Sequence, residues 1–76
     1  NLIKGLDLIK LGENIKRIRL QNELSQENIA SMIGVTQACI TRYEKALICI
    51  STSNLYKLSK EFKISLSELC GKVKSR

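Results

Sequence analysis

Between Ser25 and Glu44 the sequence reads SQENIASMIGVTQACITRYE. Apolar residues recur through it at helical spacing, stop at Gly34-Val35, and then resume. That pattern is two short helices joined by a turn of very few residues. Ser25 and Thr36 stand where each helix would begin, and their hydroxyls suit the N-cap position. Gly34 stands where the first would end, since a left-handed backbone costs a glycine little. Ile29, Ala30 and Ile33 fall on one face of the first helix, Ile40 and Tyr43 on one face of the second. Ala30 sits where the two helices approach most closely and must be small. Thr36, Gln37, Ala38, Thr41 and Arg42 have no evident place in a core.

The rest of the chain reads as more helices around this pair. Leu11, Ile15 and Ile18 predict a first helix over about 11–22. Lys16, Arg17 and Arg19 lie away from its apolar stripe, and Asn22-Glu23 forms a turn before Leu24. Leu55, Leu58 and Phe62 predict a fourth helix after Ser51, ending at Lys63. Ser65 and Glu68 form a capping box opening a fifth, with Leu66, Leu69 and Val73 closing the core. Residues 1–10 read as an arm in which Leu2, Ile3, Leu6 and Ile9 cover a core edge or meet a partner. Residues 11–71 form the domain and 72–76 a basic tail. The fold class is all-α, a compact five-helix domain. With 76 residues there is room for one such domain, which buries only ~60% of its unfolded surface.

Thirteen basic against seven acidic residues give a formal charge of +6. Such a balance favours polyanions, nucleic acid before an acidic membrane surface. No apolar run approaches the ~20 residues of a bilayer span. A membrane-surface role needs an uncovered amphipathic helix, and the apolar faces from Leu11 onward have partners within the domain. Catalysis fails on inventory: the chain has no histidine, no metal-ligand cluster and no glycine-rich phosphate loop. The serines sit at helix starts, where capping explains them. Cys39, Cys49 and Cys70 are too few for an all-thiolate zinc site and read as reduced thiols in a cytoplasm. No cofactor, metal or small-molecule ligand is expected.

The stretches LGENIKRIR, LSQENIASMIGVTQACITRYE and LYKLSKEFKISLSELCG, in that order and without insertion, resemble the Cro and lambda-repressor-like helix-turn-helix domains, also called the XRE family. The resemblance covers about Leu11 to Gly71. It implies five helices, a third helix lying in the DNA major groove, and dimeric binding to a two-fold symmetric operator. By that match Thr36, Gln37, Ala38, Thr41 and Arg42 face base edges. A glutamine amide such as that of Gln37 pairs with adenine N6 and N7, and Ala38 suits a thymine methyl. The resemblance puts Gln26 on a phosphate, bracing the glutamine of the third helix. Lys16, Arg17 and Lys45 are further phosphate candidates. It also implies a structural ion pair between Arg19 and Glu44, while Tyr43 belongs to the core.

One stretch departs from the family pattern. After Glu44 a glycine, polar or basic residues and a proline are usual, but this chain has KALICIS. Ala46 stands for the glycine and Ile50 for the proline. Exposed apolar runs mark interfaces, so Leu47, Ile48 and Ile50 are candidates for a homodimer contact, local packing against the fourth helix being the other reading. The leading expectation is a sequence-specific double-stranded DNA-binding regulator, a homodimeric repressor. The alternative is a protein-interaction module of the same fold, antitoxin-like or partner-binding, with weak or no operator specificity.

Overall fold

Every helix starts on a short polar residue whose side chain accepts a backbone N–H of its first turn. Asp7, Ser25, Thr36, Ser51 and Ser65 take this role in turn. The computed structural model describes residues 7–70. In order they form α1 (Leu8–Gln21), α2 (Gln26–Ile33), α3 (Gln37–Glu44), α4 (Thr52–Phe62) and α5 (Leu66–Cys70). No strand occurs among the described residues.

α1 begins at Leu8 rather than near Leu11. The Asp7 carboxylate accepts from Ile9 N at 3.0 Å and Lys10 N at 3.1 Å, which fixes a first turn that the apolar stripe does not reach. Ile9 consequently points into solvent and covers no core edge. Leu2, Ile3, Leu6, Val73 and the 72–76 tail lie outside the described residues.

The core gathers Leu11, Ile15 and Ile18 of α1, Ile29, Ala30 and Ile33 of α2, and Ile40 and Tyr43 of α3. Leu55 and Leu58 of α4, Leu69 and Cys70 of α5, and Ile50 from the α3–α4 loop complete it. Each fully buried Ile or Leu is worth roughly 1.5–3 kcal/mol relative to exposure. Leu66 is a correction: it is exposed, because so short a helix as α5 turns only one face inward and Leu69 and Cys70 take it.

Two α1 residues join the elements in ways the apolar pattern does not announce. Gly12 lies against the end of α3, and a Cβ built there would stand 2.6 Å from Tyr43 O and 2.8 Å from Glu44 O. The missing side chain is what lets α1 rest on the last turn of α3. Asn14 is buried. Its Nδ2 donates to Leu69 O at 2.8 Å and Glu68 O at 3.3 Å, which ties α1 to α5.

Candidate nucleic-acid interface

α2 ends at Gly34 with φ +74°, and Val35 N returns to Ala30 O at 2.9 Å. The chain turns there within two residues. Thr36 Oγ1 then accepts from Cys39 N at 3.1 Å and starts α3. Ile40 and Tyr43 anchor α3 from below. The Tyr43 hydroxyl accepts from Asn54 Nδ2 at 3.1 Å, which ties α3 to α4. Burial pushes the Tyr43 hydroxyl pKa above its ordinary value; hydrogen bonding with Cys39 adds to this and the Asn54 bond opposes it. A ring so placed is core, not a stacking surface. The opposite side of α3 is bare: Thr36, Gln37, Ala38 and Arg42 are exposed, and Thr41 is half-buried at the edge.

A polar relay holds this side in register. Arg19 Nε donates to Glu44 Oε2 at 2.6 Å and Arg19 Nη2 to Glu44 Oε1 at 3.1 Å. Only 11% of the Arg19 side chain and 5% of the Glu44 side chain are exposed. Arg19 Nη1 also reaches Leu24 O at 3.1 Å. Gln26 Nε2 donates to the same Glu44 Oε1 at 3.0 Å. The other end of that amide, Gln26 Oε1, accepts from Thr41 Oγ1 at 2.8 Å and from Gln37 Nε2 at 3.4 Å. The structure thus brings Arg19, Gln26, Gln37, Thr41 and Glu44 into one chain of contacts. Glu44 is an acceptor only, so it fixes which end of the Gln26 amide carries the nitrogen. One Gln26 N–H is spent on Glu44 and the second is available to an anion.

The remaining cations are more scattered. Arg17 Nη2 donates to Asn14 Oδ1 at 2.9 Å, which draws its guanidinium toward the α5 flank and out of the relay. Lys16 is exposed on α1, on a surface shared with Glu13, Arg17, Leu20 and Gln21. Lys45 caps the end of α3 and is exposed. Beyond it Ala46 takes φ +59°, the left-handed conformation that suits the glycine it replaces. Leu47 is 67% and Ile48 38% exposed, but Ile50 is only 5% exposed. That corrects the reading of Ile50 as an interface residue. The chain turns inward there to reach the Ser51 cap of α4, and Ile50 becomes part of the core, unavailable to a second chain.

Sequence reasoning missed Gly12 and Asn14 as joints, and it gave Thr41 no partner inside the protein. Asn14 had a signal, since it falls on the same helical face as Leu11 and Ile18. Gly12 and Thr41 had none, because the carbonyls beside Gly12 and the Gln26 amide that Thr41 meets lie on other elements. Among the described residues, no group of His, Cys, Asp or Glu is arranged to hold a metal. No helix among them is long and apolar enough to cross a membrane.

Two helices set across a glycine turn, the second bare on its outer side, define a helix-turn-helix domain. The chain belongs to the helix-turn-helix family, whose pattern matches residues 15–69. It is similar to the restriction-modification controller protein C.AhdI from Aeromonas hydrophila, at 30% identity and a TM-score of 0.76, covering 83% of this chain and 96% of that one. It is also similar to the P22 c2 repressor, solved with a synthetic operator, at 29% identity and a TM-score of 0.73, covering 78% and 89% of the two chains. The antitoxin PezA of Streptococcus pneumoniae is 28% identical over 64 residues, 84% of this chain. The chain spans 40% of that relative's length.

Proposed function

We propose that this chain is a sequence-specific double-stranded DNA-binding transcriptional regulator that reads the major groove with α3. The observation that carries the reading is the two-sided build of α3. Ile40 and Tyr43 lock one side into the core, while Thr36, Gln37, Ala38 and Arg42 stay uncovered on the other. A major groove ~12 Å wide admits one α-helix, and residues near its N-terminus reach base edges. The repressor and controller neighbours support the same reading. Gln37 is the base reader; Ala38 faces a thymine methyl, and Thr36 and Arg42 contact bases or the adjoining phosphates. The unspent N–H of Gln26 holds the sugar-phosphate backbone and fixes register rather than sequence, with Lys45, Lys16 and Arg17 as further phosphate contacts. The protein acts in the cytoplasm as a homodimeric repressor, needs no cofactor and catalyses nothing. Two half-sites then lie about one helical turn, ~34 Å, apart.

Selection of bound sequences from a random DNA pool tests this. A two-fold symmetric consensus is expected, with affinity falling steeply as salt rises. Gln37→Ala should cost ~1–3 kcal/mol of preference at one base pair per half-site. A pool that enriches nothing at low salt would reject the reading.

A protein-interaction module of the same fold is the second reading. The exposure of Leu47 and Ile48 and the antitoxin relative favour it. It predicts partner binding without an enriched DNA sequence.

A further inference from the structure

We propose that Thr41 is a positioning residue that sets the polarity with which Gln37 meets a base, so that the chain selects an exocyclic amino group at that position. This rests on the reading of α3 as the DNA-facing helix.

The argument begins at Gln26. Its nitrogen end is held by Glu44 at 3.0 Å. One anchor leaves a pivot, and a planar amide swings about it. A second anchor at the oxygen end fixes the plane. Two donors reach Gln26 Oε1, and they are unequal. Thr41 Oγ1 stands at 2.8 Å, a full-strength hydrogen bond, whereas Gln37 Nε2 stands at 3.4 Å, beyond the usual N–H···O range. The Thr41 hydroxyl has a single proton, and its other acceptor, Gln37 O, lies farther off at 3.2 Å. The proton therefore belongs to Gln26. Thr41 is what keeps an acceptor pointed at Gln37.

The consequence falls on Gln37. With Gln26 Oε1 in place, Gln37 turns its nitrogen inward and its oxygen outward. An outward acceptor beside one remaining N–H matches adenine, which offers an N6 donor and an N7 acceptor. Cytosine supplies an amino donor but no acceptor for that N–H. Guanine and thymine turn O6 and O4 toward the amide oxygen, acceptor against acceptor. The base order expected at this position is adenine, then cytosine, with guanine and thymine last. Without Thr41 the Gln26 amide swings about its Glu44 anchor, Oε1 leaves Gln37, and the Gln37 amide is free to turn either edge outward, so the order flattens.

The test uses the selected operator and its three single-base variants at the position where Gln37→Ala loses preference. The wild type should rank the four bases as above. Thr41→Val keeps the shape and removes the donor; Thr41→Ala removes both. Each should narrow the ratio between adenine and guanine by about five-fold, the equivalent of one hydrogen bond. Thr41→Ser restores the donor and should restore the ratio, which a mere packing role for the methyl group would not do. A wild-type ratio in Thr41→Val, a preference for guanine or thymine, or failure of Thr41→Ser to rescue would each overturn the proposal while leaving DNA reading by α3 intact. A wild type without any base preference would overturn both together.

Discussion

Four helices of this chain end in one way, and at only one of the four ends does the next side chain stay in solvent. Glu23, Gly34, Ala46 and Lys63 all take positive φ. After each, the next N–H reaches back to the carbonyl five residues earlier: Leu24 to Arg19, Val35 to Ala30, Leu47 to Arg42 and Ile64 to Ser59, at 2.9–3.1 Å. This closure brings an apolar residue with it, which ordinarily packs back on the helix. Leu24, Val35 and Ile64 do so and are half-buried, whereas Leu47 is exposed. The backbone of the Ala46 turn is thus ordinary, and only the packing of Leu47 sets it apart. α1 rests on the end of α3 through Gly12, and Ile50 fills the core place beneath the loop.

The comparison can be broken first at Arg19. Its guanidinium bridges Leu24 O of the first turn and Glu44, just before the third. Arg19→Met should leave the Glu44 carboxylate buried and uncompensated. About 3 kcal/mol of stability should be lost, the lower end of what removing one buried partner costs, because the pair keeps some contact with water. Urea unfolding measures it. A loss under about 1 kcal/mol would mean that the two turns stand independently.

A subtler contrast lies between Gly34 and Ala46, which do the same conformational work with different residues. Nothing stands within 4 Å of a Cβ at Gly34, so Gly34→Ala tests the backbone term alone and should destabilise by about 1 kcal/mol. Ala46→Gly removes the same penalty and should stabilise by a similar or smaller amount, since glycine also loses more freedom on folding. Opposite signs in thermal unfolding are the expected result. Equal signs would show that contacts, not φ, govern one of these turns.

These turns also mark what one sequence could disclose. Three of the four were legible from Asn22-Glu23, Gly34 and Lys63, and the remaining one only through the glycine that the resembled family has where Ala46 stands. So were the caps at Ser25, Thr36 and Ser51 and the inner faces of α2 and α3, because all are local. The joints were not. Gly12 matters because of carbonyls on α3, and Asn14 because of carbonyls on α5. The face that Asn14 shares with Leu11 and Ile18 points it inward, but nothing near either residue in the chain names its partner. The same limit misplaced Ile50. Within ALICI no periodicity singles out one residue, and only the inward bend toward Ser51 decides that Ile50 enters the core. Leu66 fell to the converse error, a helical spacing extended over a helix too short to use it. At the candidate interface the resemblance identified α3 and its outward residues. That Thr41 spends its proton on Gln26 is a matter of side-chain geometry that no spacing encodes.

The smallest effect on the folded monomer should come from the side chains that make the Ala46 turn unlike the others. In the monomer Leu47 and Ile48 bury little, so Leu47→Ser with Ile48→Ser should shift stability by no more than about 0.5 kcal/mol. Apolar side chains that the fold does not use are available to a second surface. If that surface is another copy of this chain, sedimentation should show the double variant shifting from dimer toward monomer, while its melting at low concentration matches the wild type. The reading of Leu47 and Ile48 as a homodimer contact then stands. A wild-type dimer mass in the double variant would sink it, and the dimer surface would have to be sought elsewhere. A double variant that unfolds readily as a monomer would show instead that the Ala46 turn packs like the other three.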